Sequence, residues 1–224
     1  MAMQKSEELA ETAYVLFLQF KELGENPYQI TIGIIKEAEN LVEFNITGAD
    51  GSGAQINRTF NFDIKEPALI QKLVKGWKEN KRSSIIELAG KDLTDWVAHR
   101  SLVSGIIDNT DYSNARRYVG AGFFTKGLIS ISTIDPLATE SIVLLERFAQ
   151  VFDQTYTRFL DLQKAEAQSR EAQIELALER VRARTMAMQK SEELPETSKV
   201  LYQQMKNLDE PARSEERRVG KECA

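Results

Sequence analysis

The chain has 224 residues with 29 basic and 34 acidic side chains, a formal net charge of −5, one histidine and one cysteine. An acidic balance with its basic residues interspersed argues against nucleic acid as a partner, since phosphate binding needs clustered Lys and Arg, and no stretch approaches the roughly 18–20 apolar residues that cross a bilayer. The expectation is a cytoplasmic chain with no membrane span in this fragment, long enough for one domain of about 140 residues with helical extensions.

From Gln4 to Leu23 the apolar residues Leu9, Tyr14, Leu16, Phe17 and Phe20 fall near helical spacing, and Gly24 with Pro27 supplies a stop. The pattern then becomes strand-like over Ile30–Ile35, Leu41–Ile46 and Gln55–Phe62, separated by Glu39-Asn40 and by the turn-forming run Gly48–Gly53. Pro67 opens a second helix through Leu69, Ile70, Leu73, Val74 and Trp77. A strand at Ser84–Leu88 follows, then a helical or mixed segment over Lys91–Ile106. Polar turn residues from Asp108 to Asn114 lead into two strands, Arg116–Thr125 and Leu128–Ile134, joined at Lys126-Gly127. Strands with local turns, interrupted by helices, predict an α+β fold: an antiparallel sheet flanked by helices. From Ala138 to about Leu208 the only proline or glycine is Pro195, and Ala, Glu, Leu, Gln and Arg dominate, which predicts a long C-terminal helix of the coiled-coil type. Its early part, with Leu145, Phe148, Phe152, Tyr156 and Phe159, is rich enough in aromatics to pack on the sheet. Later, Ile174, Leu178, Val181, Thr185 and Met188 follow the four-and-three spacing of a coiled-coil seam and predict a homodimer through the terminal helices.

The chain repeats itself. MAMQKSEEL at Met1–Leu9 recurs at Met186–Leu194, and Glu11-Thr12, Val15-Leu16, Gln19, Lys21 and Leu23 recur as Glu196-Thr197, Val200-Leu201, Gln204, Lys206 and Leu208. The offset from Met1 to Met186, 185 residues, is that of a whole domain with a connecting helix, longer than solenoid periods of roughly 20–50 residues. A tandem array is expected, in which Met1 is an internal methionine of a longer parent. At the other end, Arg213–Cys223 reads RSEERRVGKEC and resembles the translation of a short-read sequencing adapter. Residues 213–224 are therefore expected to be a non-native tail, which leaves residues 1–212 without cysteine and without disulfide, thiolate or cysteine-metal chemistry. The expected division is an N-terminal signalling helix (1–26), a sensor domain (27–160), a linker helix (161–194), the start of a second repeat (195–212) and the tail (213–224).

The run from Leu160 to Leu194, containing QKAEAQSREAQIELALERVRARTMAMQKSEEL and preceded by Tyr156-Thr-Arg-Phe159, resembles the linker helices of bacterial multidomain sensor proteins built from repeated GAF-like domains and ending in a histidine kinase or similar output. Tyr118–Phe152 resembles the closing strands and last helix of such a domain. The resemblance implies a GAF/PAS-like six-stranded antiparallel sheet with helices on one side and a small-molecule pocket on the other. It also implies parallel dimerisation through terminal helices and an output domain in the same parent chain, as in two-component signal transduction. Bilin attachment and cyclic-nucleotide binding are not expected: residues 1–212 lack the cysteine, and Asn80-Lys81 is not followed by the Phe…Asp-Glu pattern.

No residue combination reads as catalytic. His99, in Trp96-Val-Ala-His-Arg-Ser101, lacks the acidic follower of a phosphoacceptor. Gly48–Gly53 and Gly120–Gly127 lack phosphate-loop spacing and read as turns. Asp92 with Asp95, and Asp108 with Asp111, read as capping and turn residues, with a cryptic hydrolase as a remote third reading. Neither cofactor nor metal is expected. The best candidate ligand site combines Trp96, His99, Arg100, Tyr112, Arg116, Arg117 and Tyr118, aromatic walls with cationic donors, which suits a carboxylate or phosphate group on an otherwise unknown small ligand. The expected function is a non-catalytic sensory or relay module; the alternative is a ligand-free dimerisation spacer.

The tail is highly charged and has no apolar stripe to offset an ordering cost of roughly 1–2 kcal/mol per residue. Deleting residues 213–224 is expected to leave the melting temperature and oligomeric state unchanged in calorimetry and sedimentation. A fall of several degrees would make the tail part of the fold.

Overall fold

The computed structural model describes residues 8–47, 55–105, 112 and 114–219. It divides into two compact units, Met1–Phe159 and Leu160–Ala224. In chain order the elements are α1 (Glu8–Glu22), β1 (Gln29–Lys36), β2 (Leu41–Thr47), β3 (Gln55–Asp63), α2 (Ala68–Lys78), β4 (Ser83–Ala89), α3 (Gly90–Ser104), β5 (Arg116–Phe124), β6 (Gly127–Thr133), α4 (Thr139–Ala187) and α5 (Leu194–Val219). The predicted turns at Gly48–Gly53 and Asp108–Asp111 lie outside the described residues.

The strands form one six-stranded sheet in the order β3-β2-β1-β6-β5-β4, every neighbour antiparallel. The α+β expectation therefore holds. Register pairs such as Ile34↔Glu43 and Thr31↔Ser130 fix which side chains share a face, because alternate residues of a strand point to opposite sides. One face carries Ile35, Phe44, Phe62, Ile86, Leu88, Val119 and Ala121, packed in a single cluster with Leu69, Ile70, Leu73 and Val74 of α2 and Leu93 and Val97 of α3. On the other face lie α1, through Phe17 and Phe20, and the first half of α4, through Leu145, Ala149 and Phe152. Helices thus cover both faces, where the GAF-like resemblance implies helices on one side only. The reason is compositional: Ile30, Ile32 and Ile34 alternate with Thr31 and Ile35, all buried, so each side of the central strand needs a cover.

Glycines decide how close α4 comes. A Cβ at Gly122 would stand 2.8 Å from the Leu145 carbonyl oxygen, and one at Gly120 would stand 2.7 Å from the Leu137 side chain and 2.9 Å from that of Ile142. These two glycines sit inside β5 and not in a turn, as the sequence pattern suggests; only Thr125 and Lys126 separate β5 from β6. Polar contacts then pin α4 along its length. The Ser141 hydroxyl donates to Glu25 (2.8 Å), the Ser83 hydroxyl to Glu146 (2.5 Å), and Asp153 accepts from both the backbone N–H (3.1 Å) and the hydroxyl (2.8 Å) of Thr125. Aromatic packing continues through Phe124 against Phe152 (5.0 Å between ring centroids) and Phe152 stacked on Tyr156 (5.6 Å).

In the second unit, the helix expected to run to about Leu208 breaks. Alpha4 ends at Ala187, Lys190 is extended, and a 3-10 turn at Ser191–Glu193 leads into α5. Pro195 explains why one continuous helix is unfavourable: inside a helix it would remove a hydrogen bond and clash with the preceding turn, whereas in the first turn of α5 its missing N–H is not needed. Side chains tie α5 back antiparallel to α4: Arg184 pairs with Glu196 (2.6 Å), Arg180 donates to Gln204 (3.2 Å), and Arg170 donates to the Leu208 carbonyl (2.5 Å). Of the predicted seam, Ile174, Val181 and Met188 are half-buried, while Leu178 and Thr185 are exposed. The Thr185 hydroxyl bonds the Val181 carbonyl of its own helix (2.9 Å).

Tyr156 is buried beside the Lys36–Glu43 ion pair (2.5 Å), and its hydroxyl is pushed above the ordinary tyrosine range by burial first and by the Glu43 charge second, with Lys36 opposing. The Lys36 ammonium is itself raised, mainly by its hydrogen bond with Glu43. For both groups the unfolded chain releases its proton at lower pH than the folded one, so stability is full below about pH 10 and falls as pH rises through the folded values. Urea denaturation between pH 9 and 11.5 is expected to show this fall, and Tyr156→Phe to remove the tyrosine's share while leaving that of Lys36.

Candidate functional site

The face under α2 and α3 is not uniformly apolar. Beta1 and β6 place Gln29 opposite Ser132 and Thr31 opposite Ser130, a block of four neutral polar side chains on the two central strands. Three of them, Gln29, Thr31 and Ser130, are buried. Buried polar groups are costly without hydrogen bonds. The Gln29 amide donates to the Thr47 carbonyl (3.0 Å), and the Thr47 hydroxyl accepts from the Ile30 N–H (3.0 Å), which fixes this end of the block.

Above the block is a cavity of about 40 Å³ lined by these four residues and by Phe44, Ile46, Phe62, Leu69, Leu73, Trp96, Arg100 and Val119. That volume takes about one or two waters, or the polar head of a small ligand. Gly33 shapes one side, since a Cβ there would stand 2.4 Å from the Phe44 ring, so only glycine leaves room for that ring beside β1. Alpha3 supplies another wall: Trp96 packs tilted against Phe62 (5.5 Å between ring centroids), and one turn later Arg100 joins the cavity lining. An apolar cavity with a polar floor and one cation can orient a small anionic group: the guanidinium takes the charge and the hydroxyls take the remaining hydrogen bonds.

Of the residues singled out in the sequence, Trp96 and Arg100 line this cavity. His99 lies outside the lining with its ring 5.9 Å from that of Phe62. Tyr112 is buried in the same core layer, and Arg117 stacks over Tyr28 (4.2 Å) and more distantly over Tyr112 (5.9 Å). Arg116 and Tyr118 do not join them. They alternate with Arg117 and Val119 along β5 and so belong to the opposite face, where Arg116 pairs with Glu87 (2.7 Å). Hydrogen bonding with Tyr118, then the charge of Glu87, stabilises the charged form of the Arg116 guanidinium further.

A scan against known protein families finds no match, and a comparison with curated protein sequences finds none either. The site is therefore interpreted from its own chemistry. Asp92, one of the acidic residues weighed for acid–base work, forms an exposed ion pair with Lys72 (2.9 Å). Asp108 and Asp111 lie outside the described residues. Among the described residues, no three or more His, Cys, Asp or Glu side chains come together as a metal site.

The floor residues Gln29, Thr31, Ser130 and Ser132 are the part that sequence reasoning misses. A signal was present: Ser130 and Ser132 interrupt the apolar run Leu128-Ile129-Ile131, and Gln29 and Thr31 interrupt Ile30 and Ile32 at the same parity. Such interruptions, matched on two neighbouring strands, mark a polar patch on one sheet face.

Proposed function

We propose that this chain is a non-catalytic sensory or relay module, of the GAF-like kind its linker residues resemble, in a longer bacterial signal-transduction protein. The observation that carries this reading is the position of the cavity on the same strands that seat α4. Along β5, Val119 lines the cavity and the adjacent Gly120 meets the Leu137 and Ile142 side chains. Along β6, Ser130 lines the cavity while Ile129 and Ile131 point to the other face. A ligand that spreads the floor would shift the strands on which α4 rests, and a helix continuing from the sheet is a direct way to carry that shift to an output domain. The six-stranded antiparallel sheet and the long helix support the reading. The cavity beside Trp96 and Arg100 favours a sensor over a ligand-free spacer.

The ligand class that fits is a small carboxylate or phosphate. Thermal-shift and calorimetric titration with acetate, propionate and inorganic phosphate, with acetamide as the neutral control, is expected to raise the melting temperature for at least one anion. Stabilisation should reach about 2.7 kcal/mol at a hundredfold excess over Kd. Arg100→Ala should abolish the shift. If no anion shifts the protein, the spacer reading replaces this one; an equal response from Arg100→Ala would place the anion away from this cavity.

The module is also proposed to act as a parallel homodimer through its terminal helices. Leu178 is the exposed apolar member of the predicted seam, so Leu178→Asp should not disturb the fold but should produce monomers in sedimentation, because a charge buried at a dimer seam is costly. Dimers that survive this substitution would place the interface elsewhere.

A further inference from the structure

Alpha1 and α5 are related by the internal repeat, and the structure shows the two helices in complementary states. Thr12, Val15, Gln19 and Leu23 recur unchanged as Thr197, Val200, Gln204 and Leu208, a spacing of three, four and four that makes one stripe on each helix. In α5 this stripe is half-buried: the Thr197 hydroxyl reaches the sulfur of Met188 in the turn (3.9 Å), and Gln204 and the Leu208 carbonyl accept from Arg180 and Arg170 of α4. In the first copy Val15 of α1 and Leu23, just past the end of that helix, are more open, 43% and 58% exposed, while Thr12 is half-buried.

The other face shows the reverse. Leu16, Phe17 and Phe20 of α1 are 8%, 1% and 0% exposed on the sheet; the matching Leu201, Tyr202 and Met205 of α5 are 46%, 70% and 60% exposed. The replacements keep apolar bulk at all three positions. A helix that needed only its stripe against α4 would have no use for a second face of this kind, since exposed large apolar side chains at helical spacing mark a surface meant to be covered.

We propose that α5 is the entry helix of a second unit built like the first, and that its Leu201, Tyr202 and Met205 face takes the sheet of that unit, on a row such as Ile30, Ile32 and Ile34. The repeated nonapeptide supports this occupant over any other, because at Met186–Leu194 it forms the turn between α4 and α5. The repeated part is therefore a joint: a linker helix, a turn, and a two-faced helix that holds the linker on one side and the next sheet on the other. This inference goes beyond the sensory reading and does not depend on ligand binding.

The test uses the whole chain with residues 9–23 replaced by the sequence of residues 194–208, so that the face of α5 is presented to the existing sheet. A cooperative urea and thermal transition is expected, with the melting temperature lowered by about 10–15 °C. A control carrying the same replacement, but with glutamine at the three positions derived from Leu201, Tyr202 and Met205, should lose that transition. If the first chimera is as unfolded as the control, or if both fold equally well, the face is not made for such a sheet and the proposal fails. Tyr202→Asp in the otherwise unaltered chain supplies a second readout by sedimentation. An unchanged oligomeric state agrees with the proposal, and loss of an oligomer would seat a second copy on this face and overturn it.

Discussion

The first unit depends on how closely α4 lies on β5. Helix and sheet normally keep a layer of side chains between them, yet Gly120 and Gly122 remove that layer at two successive inward positions, so that Leu145 brings its backbone carbonyl almost onto the strand. Overpacking at such a contact has no cheap escape, because the atom in the way is backbone and cannot rotate aside. With α4 held at this depth, Phe124, Phe152 and Tyr156 can form one aromatic row and Asp153 can reach the Thr125 turn. The other face follows the same logic at Gly33, where the Phe44 ring occupies the space a side chain would take and so borders the cavity.

Much of the fold was legible because its local signals agree. Alternation and short turns located all six strands to within about two residues, within the usual uncertainty of element ends. Alpha2 announced itself through Leu69, Ile70, Leu73 and Val74 on one face. Alpha3 was harder to read as a helix, since only Leu93, Val97 and Ser104 along it are buried while Leu102 is exposed, so its apolar residues do not gather on one face. The reversal after Ala187 was hidden because the residues around it are good helix formers. Pro195 was the only visible sign, and it speaks against continuation without saying where the chain turns.

The site was less legible, for a reason of parity. An alternating strand is commonly read with its apolar residues inward and its polar residues in water. In β1 that reading sends Gln29 and Thr31 to solvent, whereas here both sides of the sheet are covered and the polar parity becomes the cavity floor. The same one-residue periodicity separates Arg117 from Arg116 and Tyr118. Residues adjacent in sequence and alike in chemistry serve opposite faces, and only the strand register tells them apart.

The three polar pins on α4 have a mechanical consequence. Ser141, Glu146 and Asp153 fasten one continuous helix to the α1–β1 loop, to the start of β4 and to the β5–β6 turn, over a length of about 18 Å. Two fixed points define a line, and a third removes the freedom to bend between them. Sliding of one strand past another would therefore strain all three attachments together, and the least costly response of this segment is to tilt or roll as a stiff lever, with its own hydrogen-bond ladder unbroken.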